Sequence, residues 1–173
     1  MTPSEFLATV LDPGIIWCQS IPGWTVPFDD RDKVLMLAIA GQESSWSERV
    51  QSGNGPAHSF YQLERTGGVT GVLTHPATKE LAGECCRMMY VAPDPVHVWS
   101  VMATERGDKL ATAFARLLLR TDPRPLPVLG DSHGAAEYYR ANWRPGKWRP
   151  LDWPGNYEAA MAVINPPTAQ IEA

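Results

Sequence analysis

The sequence predicts a mostly α-helical fold, and three observations lead to this prediction. Apolar residues recur at helical spacing in several segments, and Asp, Ser, Pro or Gly residues stand at the ends of these segments. A length of 173 residues, with 44% hydrophobic and 20% charged residues, is ordinary for one globular domain. The chain has no internal repeat and no low-complexity segment. We therefore expect residues 1–173 to form a single, mostly α domain with little sheet.

The first segments predict a short helix followed by a loop. Thr2 or Ser4 can cap a helix that runs to Leu11, and Asp12-Pro13-Gly14 is expected to end it. Residues 15–27 contain two Pro, one Gly and two Trp residues, and this composition favours a packed loop over a helix. The two tryptophans are expected to cover a neighbouring surface.

A longer apolar segment predicts the central helix of the fold. This helix is expected at about residues 31–45, and Asp29 or Asp30 can cap its first turn. The Gly- and Pro-rich residues 51–71 follow it and predict a loop with a small hairpin, in which residues 53–56 form a turn.

The second half of the chain predicts further helices separated by Pro-containing links. Asp, Ser or Thr residues can cap these helices, and Pro residues stand near their ends. The predicted helices span about residues 78–90, 96–104, 108–120, 131–141 and 156–164. Pro166-Pro167 is expected to close the fold before a short tail.

Glu43 stands where the central apolar segment ends. Leu35, Ile39 and Glu43 are spaced by four residues, so in a helix the carboxylate continues an apolar stripe. Apolar surroundings and the negative end of the helix dipole both disfavour the charged form, so we expect a raised pKa for Glu43. Cleavage of a glycosidic bond requires a general acid that is still protonated near neutral pH. Glu43 is therefore the candidate catalytic residue.

The residues after Glu43 extend this pattern. Glu43-Ser44 and Trp46 lead, after a loop, to Gly55-Pro56-Ala57-His58-Ser59-Phe60-Tyr61-Gln62. This order resembles the paired motifs of the lytic transglycosylase and goose-type lysozyme group, in which a catalytic Glu followed by Ser leads to a Gly-Ala-x-Gly-Leu-x-Gln segment. Ser59 stands where that group usually has Gly, and Phe60-Tyr61 replaces an aliphatic pair.

The resemblance implies a lysozyme-like domain, in which a central helix bears the catalytic Glu and a loop or small hairpin lies opposite it. It implies cleavage of the β-1,4 bond between N-acetylmuramic acid and N-acetylglucosamine, with the peptidoglycan glycan strand as partner. A late helix of that group carries a Tyr-Asn pair that faces the acid. The expected substrate-binding residues are Ser44, Ser59, Tyr61, Gln62, Tyr139 and Asn142. If residues 61–62 are extended, only one of the two can face the cleft, and we expect it to be Gln62.

The reaction type and one alternative function stay open. A hydrolase needs a second carboxylate, whereas a transglycosylase can use the N-acetyl and 6-hydroxyl groups of the substrate with a single Glu. Glu48 and Glu64 are the nearest further acids. Neither clearly pairs with Glu43, which slightly favours the one-carboxylate chemistry. The alternative function is that of a phage virion structural protein with a lysozyme-like fold and little or no activity.

Charge and residue spacing argue against several other classes of protein. The formal net charge of -4 gives no basic field that would attract nucleic acid. The four histidines lack the spacing of metal ligands, and no phosphate- or dinucleotide-binding motif occurs. We therefore expect no metal and no cofactor. An odd count of cysteines, two of them adjacent, makes a poor disulfide framework and indicates free thiols for Cys18, Cys85 and Cys86.

The first residues lack the features of a secretory signal, and no segment is as long and apolar as a membrane span. We therefore expect a protein that is made in the cytoplasm, stays out of the membrane and acts in the periplasm or cell wall. Transport in a phage particle, beside other virion proteins, would bring it there. Release through a separately made membrane pore would do the same.

Overall fold

Side-chain caps and apolar stripes determine where the helices of this chain begin and end. The computed structural model describes residues 1–53 and 55–165. Its α-helices are α1 (Pro3–Phe6), α2 (Asp12–Gln19), α3 (Asp30–Ser44), α4 (Thr70–Thr74), α5 (Lys79–Met88), α6 (Pro95–Val101), α7 (Asp108–Arg120), α8 (Ser132–Trp143) and α9 (Trp153–Ile164). Wider or tighter helical turns occupy Leu7–Leu11, Arg65–Val69 and Glu105–Gly107. The prediction of a mostly α fold is confirmed.

A small antiparallel hairpin forms where the sequence predicted it. Strand β1 (Ala57–His58) pairs with strand β2 (Leu63–Glu64). Trp99 of α6 holds the hairpin, since its ring stacks on the ring of His58 with centroids 3.5 Å apart. The indole N–H of Trp99 also donates to the carbonyl of Pro56 at 2.8 Å. Packing on α6 therefore fixes the position of this hairpin.

One hydrophobic core joins α3 and α7 to the helices around them. The seven side chains of α3 from Val34 to Ala40 are at most 2% exposed, as expected of a helix that is apolar on all sides. Helix α3 packs against α7, α8 and α9, while α7 also packs against α2 and α5. Asp32 and Arg116 form a buried ion pair between α3 and α7, with N and O 2.8 Å apart. These contacts make α3 the central helix, as predicted.

The N-terminal helical region is longer than predicted. The chain is helical from Pro3 to Gln19, so the predictions of a stop at Asp12-Pro13-Gly14 and of a loop from residue 15 are wrong. The turn Leu7–Leu11 bonds residues five apart, and the proline then lies in the first turn of α2, where a missing amide donor costs little. The glycine allows close approach to α7, because a Cβ there would lie 2.7 Å from Thr112.

Most other helix ends lie close to the predicted ones. Asp29 caps α3 as expected, and α7 has the predicted bounds. Helix α8 continues to Trp143, and α9 begins earlier than predicted because Pro154 suits the first turn of a helix. Residues 65–71, predicted as loop, form helical turns instead. The predicted end of the fold at Pro166-Pro167 lies outside the described residues.

Candidate active site

The C-terminal end of α3 holds Glu43 in a half-buried position. Ser45 follows the helix in the left-handed conformation, with φ 51° and ψ 35°, and its amide donates to the carbonyl of Gly41 at 2.9 Å. The indole of Trp46 folds back over the last turn, and its N–H donates to the carbonyl of Leu37 at 2.9 Å. A Cβ at position 41 would overlap the six-membered ring of this indole. Trp46 is therefore a packing residue that fixes the helix end.

Glu43 lies in a cleft of about 970 Å³. Gln42 and Tyr139 line the cleft together with Glu43. One wall consists of the hairpin and the segments on either side of it, and its lining includes Glu48, Gln62, Glu64, Gly68 and His75. The other wall consists of the end of α8 and the loop that follows, and its lining includes Asn142, Trp143, Arg144, Lys147 and Arg149. A cleft of this size can take up part of a polymeric or drug-sized ligand.

Tyr139 of α8 makes a short hydrogen bond with Glu43. Its hydroxyl donates to Oε1 of Glu43 at 2.5 Å. The residue is 1% exposed, and its ring stacks on Trp153 at a centroid distance of 5.0 Å, with Trp148 at 5.7 Å. A buried aromatic ring packed between others has little rotamer freedom, so the hydroxyl is held in place. The structure thus brings together two residues that lie far apart in the sequence and were both predicted for the site.

The surroundings of Glu43 raise its pKa to about 7, from an ordinary value of 4.5. Burial is the largest cause, because it disfavours the charged carboxylate. The hydrogen bond from Tyr139 and the charge of Arg149 act in the opposite direction, and the charge of Glu64 adds to the rise. Near neutral pH both forms of the carboxyl are therefore populated. This is the property that a group acting first as acid and then as base requires.

We expect Tyr139→Phe to raise the pKa of Glu43 further. The hydroxyl stabilises the carboxylate form, so its removal favours the protonated form. The alkaline limb of any activity that depends on this acid should move to higher pH, as measured by a pH profile of the activity. Tyr138→Phe is the matched control, because the hydroxyl of Tyr138 donates to Leu119 at 3.0 Å, away from Glu43. An equal shift in both variants would contradict the prediction.

Gln62 and Asn142, two of the residues expected to bind substrate, both line the cleft. The amide nitrogen of Gln62 donates to the carbonyls of Ser59 at 2.8 Å and Glu48 at 3.3 Å. Both of its N–H groups are thereby used, and its side-chain oxygen is the group left to accept a hydrogen bond from a ligand. The amide nitrogen of Asn142 also makes two bonds, to the carbonyl of Tyr138 at 2.8 Å and to a carboxylate oxygen of Asp122 at 3.0 Å.

Three residues predicted to bind substrate do not line the cleft. Ser44 is 9% exposed, and its hydroxyl donates to the carbonyl of Ala40 at 3.0 Å. Ser59 and Tyr61 are 0% exposed. Ser59 accepts a hydrogen bond from the amide of Tyr61, whose ring packs edge-on against Phe6. The prediction is therefore wrong for these three residues. Ser44 bonds within α3, and the turn at residues 59–62 directs Ser59 and Tyr61 into the core.

Ser59 adopts a left-handed backbone conformation, with φ 70°. Residues other than glycine pay a steric cost in this region, because Cβ approaches the neighbouring carbonyl. The position is thus one that suits glycine, which is the residue usual there in the group that the motif resembles. The serine compensates in part, since its hydroxyl accepts the amide of Tyr61 at 3.2 Å.

Several residues around Glu43 were not singled out from the sequence. Gln42 is 3% exposed and exchanges hydrogen bonds with Arg149, and Asn156 of α9 donates to its side-chain oxygen. Trp148 and Trp153 complete the aromatic cluster around Tyr139. No local pattern marks these residues, because their importance comes from contacts between distant segments. The one available signal for Gln42 is a polar residue at a buried position of an apolar helix.

Within the part of the chain that the structure describes, no group of three or more His, Cys, Asp or Glu residues has the arrangement of a metal site. In the same residues, no helix combines the length and the apolar character needed to cross a bilayer. Cys18, Cys85 and Cys86 are buried free thiols.

Comparisons with protein-family models, with curated proteins and with solved structures give no match to this chain.

Proposed function

We propose that this chain cleaves the β-1,4 bond between N-acetylmuramic acid and N-acetylglucosamine in peptidoglycan, as a lytic transglycosylase or a muramidase. One observation carries the proposal. Glu43, with a pKa raised to about 7, lies in a cleft of about 970 Å³ and is held there by Tyr139. A carboxyl group in this state can protonate a leaving group near neutral pH. The motif around Glu43 and Gln62 adds the resemblance to peptidoglycan-cleaving enzymes.

A lysozyme-like fold is part of the same proposal. Helix α3 is central and buried, it carries Glu43 in its last turn, and the β1–β2 hairpin forms one wall of the cleft. This arrangement agrees with the one that the resemblance implies. In this arrangement a glycan strand would bind between the hairpin and α8, with the scissile bond next to Glu43.

In the proposed reaction Glu43 first donates its proton to the glycosidic oxygen as the bond from that oxygen to C1 breaks. The carbonyl oxygen of the neighbouring N-acetyl group can bond to C1 and stabilise the positive charge. The Glu43 carboxylate then accepts a proton from the 6-hydroxyl of the same sugar, whose oxygen bonds to C1 and displaces the N-acetyl oxygen. The product is an anhydro sugar. If water delivers the proton and the oxygen instead, the product is a reducing sugar.

Gln62 favours the route with one carboxylate, in which the N-acetyl group of the substrate takes part. Glu64 and Glu48 line the same cleft and are exposed, and Glu48 accepts a hydrogen bond from Ser52 at 2.9 Å. Their exposure does not decide between the two routes, because only the general acid needs a buried setting. The side-chain oxygen of Gln62 is suited to accept the N–H of an N-acetyl group and so to orient it for reaction.

Mass analysis of fragments released from purified peptidoglycan tests this proposal. Anhydro products would identify a transglycosylase, and reducing products would identify a hydrolase. We expect Glu64→Gln to keep most of the activity and the same products, since Glu64 acts on Glu43 only through its charge. A loss of about a hundredfold or more in Glu64→Gln would instead make it a second catalytic carboxylate. No release by the folded wild-type protein would favour the alternative of a virion structural protein.

The route to the substrate belongs to the same proposal. A chain made in the cytoplasm can reach the cell wall in a phage particle, in contact with other virion proteins, or after lysis of the membrane by a separate protein. The net charge of -4 gives no long-range attraction to an anionic wall. Binding must therefore come from the shape of the cleft and from its hydrogen-bonding groups.

A further inference from the structure

Gln42, the residue before Glu43, connects α3 to the loop that forms the wall beyond α8. Its side-chain N–H donates to the carbonyl of Arg149 at 3.1 Å, and its side-chain oxygen accepts from Asn156 at 3.0 Å. The guanidinium of Arg149 donates in return to the main-chain carbonyl of Gln42. We call Gln42, Arg149 and Asn156 the Gln42 clamp. It gives a partner to both the nitrogen and the oxygen of the Gln42 amide, a side chain that is 3% exposed.

The clamp also satisfies the end of α3. The last carbonyls of a helix lack donors within the helix, and an unpaired one at a buried position is costly. Ser45 and Trp46 bond the carbonyls of Gly41 and Ala40, and Arg149 supplies the donor for the next one. Arg149 is held from the other side by an ion pair with Asp152, with N and O 3.0 Å apart.

Arg149 therefore has a fixed place in the cleft. Its side chain is 43% exposed and lines the cleft. The carbonyl of Gln42 and the carboxylate of Asp152 hold its guanidinium in place. The charged and titratable groups that act on Glu43 are Tyr139 from α8, Glu64 from β2 and Arg149. Arg149 is the cation of this set. Without it, the Glu43 carboxylate would face the charge of Glu64 and the negative end of α3.

We propose that the Gln42 clamp positions Glu43, and that Arg149 is a positioning residue whose charge favours the carboxylate formed when Glu43 releases its proton. The proposal deepens the proposed function, and its catalytic consequence rests on that function. The effect of the clamp on the ionisation of Glu43 does not rest on it, because this effect exists in the free protein without substrate. Gln42 and Asn156 fix the geometry, and Arg149 supplies the charge.

An NMR titration of the Glu43 carboxyl tests the clamp without any substrate. The protein is labelled with ¹³C in its Glu side chains, and the spectrum of Glu43→Gln assigns the signal. We expect Arg149→Met to raise the pKa of Glu43, because the neighbouring cation is removed, and Arg149→Lys to restore most of the wild-type value. Gln42→Met should shift the pKa in the same direction as Arg149→Met, since the loop loses its anchor.

Arg144→Met is the matched control. Arg144 lines the same cleft but makes no bond to Gln42, so its removal should leave the titration of Glu43 nearly unchanged. An unchanged titration in Arg149→Met, or an equal shift in Arg144→Met, would overturn the proposal. Arg149→Gln keeps a donor for the Gln42 carbonyl and gives the same information if Arg149→Met does not fold.

Activity adds a second, separate measurement. We expect Gln42→Met to lower kcat on the order of tenfold with little change in KM, because a small displacement of a catalytic group slows the reaction more than it weakens binding. A purely structural role of Gln42 would lower the melting temperature without moving the titration. A protein that shows the expected titration but cleaves no peptidoglycan would refute the proposed function and leave the clamp intact.

Discussion

The Glu43→Gln variant is expected to fold and to lose peptidoglycan cleavage. Glutamine keeps the size of the side chain and can still accept the hydrogen bond from Tyr139. It cannot donate a proton to the glycosidic oxygen or take one back. The rate should therefore fall by roughly a hundredfold or more, the usual contribution of general acid and base catalysis. The release of soluble fragments from purified peptidoglycan measures this loss.

Glu48→Gln is the matched control for this variant. Glu48 lines the same cleft, but it is exposed and lies at the edge of the loop after α3. Its substitution changes the net charge by the same amount and should leave the activity close to that of the wild type. Full activity in Glu43→Gln would show that Glu43 is not the general acid.

The same variant has an expected effect on stability. The pKa of Glu43 is about 7 in the folded protein and near the ordinary value of 4.5 in the unfolded chain. Between these values the folded protein binds more protons, so Glu43 lowers the stability of the wild type as pH rises from about 4.5 to about 7. Glu43→Gln should therefore match the wild type at the acidic end and exceed its melting temperature at neutral pH. A clear destabilisation at neutral pH would identify Glu43 as a structural ion-pair partner.

The central helix and the position of its acid could be predicted because their causes are local. Asp29 caps α3 through the amides of the first turn, and the apolar run after it continues to Ala40. The change to polar and Gly-rich residues after Glu43 marks the end of the helix. The raised pKa of Glu43 was expected from the same pattern. Its largest cause is burial, and burial follows from the apolar stripe on which Glu43 lies.

The rest of the site depends on contacts that no local pattern reveals. Gln42 and Arg149 are 107 positions apart, and Tyr139 is 96 positions from Glu43. The alternation of an extended strand does not apply to Tyr61 and Gln62, because they lie in a turn whose backbone is left-handed at Ser59 and at Gln62. The helix around Pro13 was missed for a similar reason, since a wide turn before a proline cannot be recognised from composition.

Tyr61→Ala and Gln62→Ala are expected to affect different properties, the first stability and the second activity, although the two residues are adjacent. Tyr61 is 0% exposed and packs against Phe6, so its truncation leaves a cavity in the core. The free energy of unfolding should fall by about 3 to 5 kcal/mol, the usual cost of removing a large buried aromatic ring. Denaturant unfolding monitored by circular dichroism measures this loss. Tyr61→Phe keeps the ring and should retain most of the stability.

Gln62→Ala should instead act mainly on activity. The side chain of Gln62 is half-buried, and its two donors bond the carbonyls of Ser59 and Glu48, so its loss should cost about 1 to 2 kcal/mol of stability. Substrate binding and positioning should weaken by about 1 to 3 kcal/mol, because one hydrogen bond to the substrate is lost. The ratio kcat/KM on soluble glycan fragments measures this effect. Unchanged kcat/KM in Gln62→Ala, or strong unfolding equal to that of Tyr61→Ala, would show that Gln62 supports the turn and does not bind the sugar, and the cleft would then lack its proposed N-acetyl contact.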